Sequence, residues 1–124
     1  MIDIDNIHKI CRKYYIMNYT INLDGSVDVK GDVLLCDMYL KEIPLKFNKV
    51  SGHFDCSDNE LTSLKNCPNK VNKYFRCSYC PKLESLEGCP KKVSEVFYCS
   101  DCKGKFTANK AYKLCKTPCV YNKL

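Results

Sequence analysis

The chain has 124 residues, of which 45% are hydrophobic and 27% charged. This size is typical of one small domain with a single core, and the sequence has no stretch of about 20 apolar residues that would span a bilayer. The eleven cysteines reach the level of a disulfide scaffold. Their odd number, and a first segment without a basic-then-apolar signal, instead favour reduced thiols in a cytoplasm.

The charge is distributed unevenly along the chain. Residues 1–62 carry seven Lys and Arg against ten Asp and Glu, whereas residues 63–124 carry thirteen against four. A basic half is typical of proteins that bind nucleic acid or an acidic protein, and it is equally typical of a solvated, lysine-rich surface. Charge alone therefore leaves both interpretations open.

The first predicted elements form an N-terminal cap over residues 1–32. A helix is predicted over residues 4–15 with Asp3 as its N-cap, because apolar residues recur there at helical spacing. The members of this apolar face are Ile4, Ile7, Cys11 and Tyr14. A β-hairpin is predicted over residues 19–29, where two alternating segments flank an Asp-Gly turn.

A repeat of 20 to 22 residues follows from about residue 33. Each unit has a cysteine with an apolar residue two positions before it. After the cysteine come a Leu-x-x-Leu-like pair and, seven residues beyond that pair, a valine. The apolar residue and the cysteine of successive units are Leu34 and Cys36, Phe54 and Cys56, Phe75 and Cys77, and Phe97 and Cys99. Units of this kind bury their apolar edges only by stacking, so the pattern predicts a solenoid.

The predicted fold class is α+β, with a short leucine-rich-repeat-like solenoid inside one structural domain. About three repeats occupy residues 33–95, and a last strand with a Cys-rich cap occupies residues 96–124. The segment from Phe54 overlays the Leu-x-Leu-x-x-Asn-x-Leu core of a leucine-rich repeat. In this overlay Cys56 is a small buried hydrophobe and Asn59 is the framework asparagine.

Two of the units end in a Cys-Pro pair, Leu61-Thr-Ser-Leu-Lys-Asn-Cys-Pro and Leu83-Glu-Ser-Leu-Glu-Gly-Cys-Pro. Together with Phe97-Tyr-Cys-Ser-Asp-Cys near the end, these segments resemble the short leucine-rich-repeat-like proteins of tailed phages. The resemblance covers roughly residues 17–116. It implies a phage origin and a solenoid, and it assigns no activity. With reduced thiols, a phage origin indicates the host cytoplasm.

The C-terminal segment has four cysteines at the spacing of a Cys2His2 zinc finger, with cysteine in place of both histidines. These are Cys99, Cys102, Cys115 and Cys119. A Cys-x2-Cys pair and a short helix from about Thr107 would supply four thiolates to one structural Zn2+. A rival set within zinc spacing is Cys77, Cys80, Cys99 and Cys102. In the third interpretation no metal binds, and the thiols fill core and cap positions.

Catalytic residues are not expected in this sequence. His53 and Asp55 stand two residues apart on a predicted strand, an arrangement that alternation produces without any catalytic need. The sequence has no glycine-rich phosphate loop, serine nucleophile motif or paired carboxylates. Most cysteines fall at core positions, where a thiol is unreactive. The sequence therefore predicts a protein that is not an enzyme.

The outward positions of the predicted strands form a candidate binding face. Alternation along each strand turns Phe and Cys inward and places the residues between them on one side of the sheet. The candidate partner-binding residues are Leu35, His53, Asp55, Tyr74, Arg76, Val96 and Tyr98. Tyr and Arg are enriched at binding hot spots, which favours recognition, although Tyr and Val also favour strands for structural reasons alone.

These observations predict a module that binds a host or phage protein through its strand face. The alternative is nucleic-acid binding by the basic half, in which a zinc-stabilised cap places lysines on phosphates. The lysines of that alternative are Lys103, Lys105, Lys110 and Lys113. A virion structural component is the third alternative, and no membrane association is expected.

Overall fold

A computed structural model of the chain describes residues 2–122 and shows an α+β protein, in which a short N-terminal helix precedes a β-solenoid of about five turns. The elements in chain order are α1 (Ile4–Lys13), β1 (Tyr19–Ile21), β2 (Val27–Val29), β3 (Val33–Leu34), β4 (Phe47–Val50), β5 (Phe54–Asp55), β6 (Lys70–Val71), β7 (Phe75–Arg76), β8 (Lys92–Val93), β9 (Val96–Tyr98), α2 (Ala108–Leu114) and β10 (Cys119–Tyr121). Neither helix of this described part is long and apolar enough to cross a membrane. Residues 1 and 123–124, the outer limits of the two predicted caps, lie outside the described residues.

The predicted N-terminal helix is confirmed with Asp3 as its N-cap, but it ends at Lys13 rather than at residue 15. The Asp3 side chain accepts a hydrogen bond from the backbone N–H of Asn6 at 3.0 Å, which satisfies one of the unpaired donors at the helix start. Ile7 and Cys11 are buried in the continuous core, while Ile4 is exposed. The helix thus adds one narrow apolar stripe to the end of the solenoid.

The predicted hairpin is also confirmed, as the antiparallel pair β1 and β2. Tyr19 lies opposite Val29, and Ile21 lies opposite Val27. Gly25 occupies the turn with a φ of 84°, a conformation that favours glycine. β2 then pairs with β4, so the hairpin forms the first edge of a larger sheet.

Two sheets run along the solenoid, and their strands are parallel apart from the hairpin. The first sheet has the order β1-β2-β4-β6-β8, and the second sheet has the order β10-β9-β7-β5-β3. The sequence predicts only the second sheet. The strands of the first sheet carry the recurring valine of the repeat, because Val50, Val71 and Val93 are buried in register on β4, β6 and β8.

Three phenylalanines stack at the centre of the core. Phe54 and Phe75 are nearly parallel with 5.9 Å between ring centroids, and Phe75 and Phe97 are tilted with 5.0 Å between them. All three side chains are fully buried, and they lie in register because β5, β7 and β9 pair in parallel. The next inward residue after each phenylalanine is a cysteine. These cysteines form a second buried row, which consists of Cys56, Cys77 and Cys99. The predicted stacking of Phe and Cys rows is confirmed for these three turns.

The first strand enters the solenoid one residue out of the predicted register. Leu34 pairs with Asp55, so Leu35 is level with the next cysteine of the row. Leu35 is fully buried, whereas Leu34 and Cys36 are exposed. A slip of one residue turns every side chain of a strand to its other face, and burial of Leu35 removes more apolar surface from water than burial of Cys36 would. The predictions that Leu35 points outward to a partner and that Cys36 belongs to the core row are therefore wrong.

A ladder of polar side chains runs beside the cysteine row and begins at Asn59. The Asn59 amide donates a hydrogen bond to the carbonyl oxygen of Leu35 at 2.8 Å. Its oxygen accepts the backbone N–H groups of Met38 at 3.1 Å and Leu40 at 2.9 Å. The amide therefore satisfies buried backbone groups of two successive turns.

Cys80 and Cys102 occupy the ladder position in the following turns. The Cys80 sulfur lies 3.6 Å from the carbonyl oxygen of Cys56, and the Cys102 sulfur lies 3.1 Å from that of Cys77. A thiol is a weak donor, but here it reaches the backbone carbonyl that corresponds to the one Asn59 bonds. Cys80, for which the repeat pattern provides no role, is thus a substitute for the ladder asparagine.

The second sheet extends one strand beyond the predicted last strand. Strand β10 pairs in parallel with β9, and Tyr121 is level with Tyr98. Along the chain, the helix α2 follows β9 and precedes β10, and it begins where the sequence predicts a helix. The Thr107 hydroxyl caps α2 by accepting the backbone N–H of Lys110 at 3.3 Å. The three predicted repeats are therefore part of a longer stack of about five turns.

Candidate functional site

A row of aromatic rings crosses the outer face of the second sheet. The ring centroids of His53 and Tyr74 are 3.9 Å apart, those of Tyr74 and Tyr98 are 5.6 Å apart, and those of Tyr98 and Tyr121 are 5.7 Å apart. Each ring belongs to a different turn, on or directly before β5, β7, β9 and β10. Parallel strands ~4.8 Å apart bring such neighbours into contact, so the rings form one continuous surface.

Arg76 lies in the middle of this row, on β7. Its guanidinium is 5.7 Å from the ring centre of Tyr79, and its Nη1 is 3.8 Å from a carboxylate oxygen of Asp55. Asp55 is buried and also accepts the backbone N–H of Ser57 at 2.9 Å. Asp55, a predicted contact residue, is therefore buried and pairs with Arg76, so the prediction that it faces a partner is wrong.

Tyr74 is held in place by the preceding turn. Its backbone N–H donates to Nδ1 of His53 at 3.1 Å, and the His53 backbone N–H donates to the Asp32 carboxylate at 2.7 Å. Burial and the negative charge of Asp55 raise the pKa of the Tyr74 phenol above its ordinary value. The phenol is therefore neutral at physiological pH and able to donate a hydrogen bond.

The rings and the guanidinium line a shallow depression of ≈ 400 Å³. The residues around it are Tyr74, Arg76, Ser78, Tyr79, Tyr98, Ser100 and Tyr121. We use the name tyrosine surface for Tyr74, Arg76, Tyr79, Tyr98 and Tyr121. Tyr79 and Tyr121 are 46% and 54% exposed, whereas Tyr74 and Tyr98 are half-buried between neighbouring turns. The depression thus has a fixed floor and two projecting tyrosines.

Tyr79 adopts a left-handed backbone conformation, with a φ of 54°. In other turns the equivalent residue has the same conformation and is an aspartate, namely Asp37, Asp58 and Asp101. Asp tolerates this region because its short polar side chain bonds locally, whereas a larger side chain is strained there by about 1–2 kcal/mol. Tyr79 therefore occupies a position where the fold itself favours aspartate.

Four of the predicted binding residues lie together around the depression or beside it. Tyr74, Arg76 and Tyr98 belong to the tyrosine surface, and His53 packs against it. Val96 is half-buried on β9, one residue before the buried Phe97. The strand register of the middle turns is thus as predicted, and Tyr74, Arg76 and Tyr98 face outward, whereas Asp55 is buried.

The sequence pattern does not single out Tyr79 and Tyr121. Tyr121 follows an inward Val120 as Tyr98 follows Phe97, and this alternation is the signal for a further strand. Tyr79 has a subtler signal, because it stands in the repeat where the other units have aspartate. Both residues can be recognised as part of this surface only when the repeat is aligned in the correct register.

The four cysteines of the predicted zinc site occupy different parts of the fold. Cys99 is in the core row, and Cys102 is in the ladder next to the Cys77 carbonyl. Cys115 is buried at the end of α2, whereas Cys119 is exposed on β10. Within residues 2–122, no three His, Cys, Asp or Glu side chains form a group that could hold a metal ion.

The thiols of the predicted zinc site differ in protonation, because a hydrogen bond with Cys80 lowers the pKa of Cys102. Burial raises the pKa of Cys99 to about 12 and that of Cys115 to about 11. Because zinc binds thiolates, a metal would have to displace protons that these sulfurs hold more strongly than usual. Zinc at Cys99, Cys102, Cys115 and Cys119, or at the rival set that includes Cys77 and Cys80, stays a prediction.

Thiol labelling of the native protein tests the arrangement of the cysteines. We expect a small alkylating reagent to modify Cys119 first and Cys36 next, because only these two thiols are classed as exposed within residues 2–122. Burial and the negative charge of Asp55 raise the pKa of Cys36, which slows its reaction. Peptide mass spectrometry of labelled protein identifies the sites, with denatured protein as the control for all eleven. Zinc-dependent protection of Cys119, together with the mass of one bound zinc in native mass spectrometry, would contradict this arrangement.

The four lysines of the nucleic-acid alternative lie in and before α2. Lys103 pairs with Glu84, with 2.8 Å between Nζ and a carboxylate oxygen, and this contact lowers the pKa of the Glu84 carboxyl. Lys105 is exposed before the helix, and Lys110 and Lys113 are exposed on it. One of the four lysines is therefore already paired with a carboxylate within residues 2–122, in a contact that is exposed to water.

Comparisons with known proteins add no relative to this picture. No family model matches the chain, and no curated protein or solved structure matches it. The function has to be inferred from the side chains themselves.

Proposed function

We propose that the chain is a small recognition module that binds a protein partner through the tyrosine surface. The observation that carries this proposal is that four tyrosines and an arginine from three successive turns line one depression. Tyrosine and arginine are enriched at binding hot spots, because each combines a large contact area with hydrogen-bonding groups. A sheet face that only contacts water has no need for this combination.

The surface is organised before a partner arrives. The rings of Tyr74, Tyr98 and Tyr121 contact one another, and Arg76 is held by the buried carboxylate of Asp55. Side chains that are already ordered lose little conformational entropy on binding, which leaves more of the contact energy for affinity. The cluster spans two strand spacings, or roughly 10 Å, which suits the centre of a standard interface.

The conformation of Tyr79 supports the same proposal. Residues in sparsely populated backbone regions concentrate at functional sites, where the surrounding structure holds them. Here a tyrosine takes the place of the aspartate found in other turns and lies against the Arg76 guanidinium. Strain at this residue is balanced by a contact that matters for recognition.

We propose binding rather than catalysis because of the contacts of His53. Its Nδ1 accepts the backbone N–H of Tyr74, and its ring lies 3.9 Å from the ring of that residue. These contacts use the imidazole to fix a tyrosine of the binding surface. They support the prediction that the protein is not an enzyme.

We further propose that the solenoid is of the leucine-rich-repeat-like type found in tailed phages. The ladder of Asn59, Cys80 and Cys102 supports this identity, since each side chain bonds a backbone carbonyl of the preceding turn. The partner would then be a host or phage protein, encountered in the host cytoplasm.

Replacing Tyr79 by aspartate separates recognition from folding. Aspartate is the residue of the equivalent position in other turns, so Tyr79→Asp is expected to change the free energy of unfolding by less than about 0.5 kcal/mol or to raise it. Loss of the ring is expected to weaken partner binding at least tenfold, as for a hot-spot residue. The partner is captured with the wild-type chain from nuclease-treated lysate of the native host, identified, and then titrated by calorimetry.

The matched control is Tyr112→Asp. Tyr112 is 47% exposed on α2, outside the tyrosine surface, so the same chemical change is made on a side chain of similar exposure. This control is expected to bind as the wild type does. Full affinity of Tyr79→Asp combined with Tyr121→Ala would remove the tyrosine surface as the binding site.

A further inference from the structure

A row of lysines crosses the outer face of the first sheet. Lys49, Lys70 and Lys92 are direct register partners on β4, β6 and β8, and Lys116 continues the row through a parallel bridge to Lys92. All four side chains are exposed. Strands ~4.8 Å apart distribute these four charges over roughly 14 Å. We use the name lysine row for these four residues.

The lysine row is an unfavourable arrangement by itself. None of its four ammonium groups has an ion-pair partner among residues 2–122. The Asp28 carboxylate on the neighbouring strand β2 is engaged by the Asn48 amide at 2.9 Å and by the backbone N–H of Lys49 at 3.1 Å. Like charges directly opposite one another on adjacent strands destabilise a sheet. An anion bound across the row would relieve this repulsion.

The side chains beside the lysine row are mostly small and polar. They are Asn48, Asn69 and Lys91 on one side and Ser51, Asn72 and Ser94 on the other. Amide and hydroxyl groups of this kind hydrogen-bond to phosphate and sugar oxygens. Depressions of ≈ 400 and ≈ 380 Å³ lie along the row. The first is lined by Lys30, Lys49 and Lys70 together with the hydrogen-bonded carboxylate of Asp28, and the second by Lys92 and Lys116. The surface can therefore seat anionic groups between its cations.

We propose that the lysine row binds the phosphate backbone of a double-stranded nucleic acid. A duplex carries about one negative charge per 1.7 Å of its axis, which is roughly eight charges over the length of the row. One strand alone carries about four of these charges, so each lysine can meet its own phosphate. Ser51, Asn72 and Ser94 on one side can add hydrogen bonds to the same backbone, whereas the amides of Asn48 and Asn69 on the other side already donate to Asp28 and Asn48.

The side chains on the outer face of the first sheet favour a duplex over other anionic partners. On β4, β6 and β8 the rings and large apolar side chains, such as Phe47 and the valine row, point into the core. The one aromatic residue within residues 2–122 that lines the two depressions is Tyr19 on β1, whose ring packs against His8, so the lysine row itself offers a single strand no series of rings on which to stack its bases. A bilayer would have no apolar side chain to bury. The regular row of charges and small polar groups fits a backbone whose charges are also regular.

The lysine row lies on the first sheet and the tyrosine surface on the second, so this inference goes beyond the proposed protein-binding function and does not depend on it. It also differs from the earlier alternative, because none of its lysines belongs to the set in and before α2. A duplex bound to one sheet would leave the depression on the other sheet open to a protein.

Fluorescence anisotropy with a short mixed-sequence DNA duplex, and with the RNA duplex of the same sequence, tests the proposal on the full chain. With four phosphate contacts, affinity for either duplex is expected to fall roughly 150-fold between about 50 and 200 mM salt. A quadruple variant neutralises the row: Lys49→Gln, Lys70→Gln, Lys92→Gln and Lys116→Gln. In this variant, binding and its salt dependence are expected to be lost.

The control variant carries the same change in net charge elsewhere: Lys103→Gln, Lys105→Gln, Lys110→Gln and Lys113→Gln. It is expected to keep the affinity and the salt dependence of the wild type. Equal losses in both quadruple variants would overturn the proposal, because general charge would then explain the binding. Binding to polyglutamate or to phosphatidylserine vesicles as tight as to the duplexes would overturn it in favour of another anionic partner, and so would the absence of duplex binding.

Folding of the row variant is checked by thermal unfolding. It is expected to be at least as stable as the wild type, because neighbouring like charges are removed. If the quadruple variant does not fold, Lys70→Gln alone is expected to reduce the slope of log affinity against log salt by about 0.9. An unchanged slope in the folded single variant would overturn the proposal.

Discussion

Replacing Phe75 by alanine is expected to lower the free energy of unfolding by about 3–5 kcal/mol, the range found when a large buried aromatic side chain is removed. Phe75 is fully buried and contacts Phe54 on one side and Phe97 on the other. Parallel pairing of β5, β7 and β9 fixes these neighbours, so they cannot easily move to fill the cavity. Since small domains are stable by only about 5–15 kcal/mol, the loss is a large fraction of the total.

Urea denaturation followed by circular dichroism measures this loss. Tyr112→Ala is the control, because it removes a ring that is 47% exposed, and it is expected to cost less than about 1 kcal/mol. If Phe75→Ala costs no more than this control, the phenylalanine row does not hold the turns together.

Replacing Asn59 by alanine is expected to cost about 2–4 kcal/mol, although the residue is polar. Its amide donates to the Leu35 carbonyl and accepts the N–H groups of Met38 and Leu40. The substitution leaves these buried backbone groups without a partner, and each costs roughly 1–3 kcal/mol when water cannot replace the lost bond. The first turns of the solenoid are therefore expected to loosen before the later ones.

Equilibrium unfolding of two further variants makes the ladder prediction specific. Asn59→Cys restores a thiol like those of Cys80 and Cys102, so it is expected to recover part of the loss. Asn48→Ala removes a half-buried amide that bonds the Asp28 carboxylate, and it is expected to have the smaller effect. An Asn59→Ala variant as stable as Asn48→Ala would show that the ladder contributes little.

Much of the fold can be predicted from the sequence where the periodic signal is strong. The helix with Asp3 at its start, the hairpin and the rows of Phe and Cys all follow from local chemistry and a repeat of about 21 residues. The first sheet could not be predicted in the same way. Strands such as Lys70–Val71 bury a single valine, whereas the strands of the second sheet begin an alternating buried pair such as Phe54 and Cys56.

The register of the first strand shows how a repeat can be misaligned. Leu35 and Cys36 are adjacent, and the cysteine matches the column of the other units by residue type. Packing selects the larger apolar side chain, so Leu35 enters the core and Cys36 remains exposed. Residue type alone does not determine which of the two side chains is buried, because leucine and cysteine are both common in protein cores.

The sequence predicts the central residues of the candidate site but not the tyrosines at its edge. Tyr74, Arg76 and Tyr98 follow from alternation on the middle strands. Tyr121 was missed because β10 comes after a helix and lacks the Leu-x-x-Leu pair of the earlier units. Tyr79 was missed because it lies in a turn, where alternation makes no prediction.

Alignment of the turns assigns most of the cysteines a structural role. Cys56, Cys77 and Cys99 are small apolar residues of the core, while Cys80 and Cys102 act as hydrogen-bond donors in the ladder. The zinc-finger spacing of the last four cysteines coincides with the period of the solenoid and the helix α2. A spacing that a repeat produces by itself is a weaker indication of metal than the same spacing in a chain without repeats.

Site-specific photo-crosslinking tests the central claim most directly, namely that the tyrosine surface is where a protein partner binds. A benzophenone amino acid replaces Tyr79 in one chain and Tyr112 in a control chain, and each is irradiated in cells of the proposed host. We predict one discrete protein adduct from the Tyr79 position and none of the same mass from the Tyr112 position. The absence of a discrete adduct at Tyr79, or the same adducts from both positions, would contradict the claim.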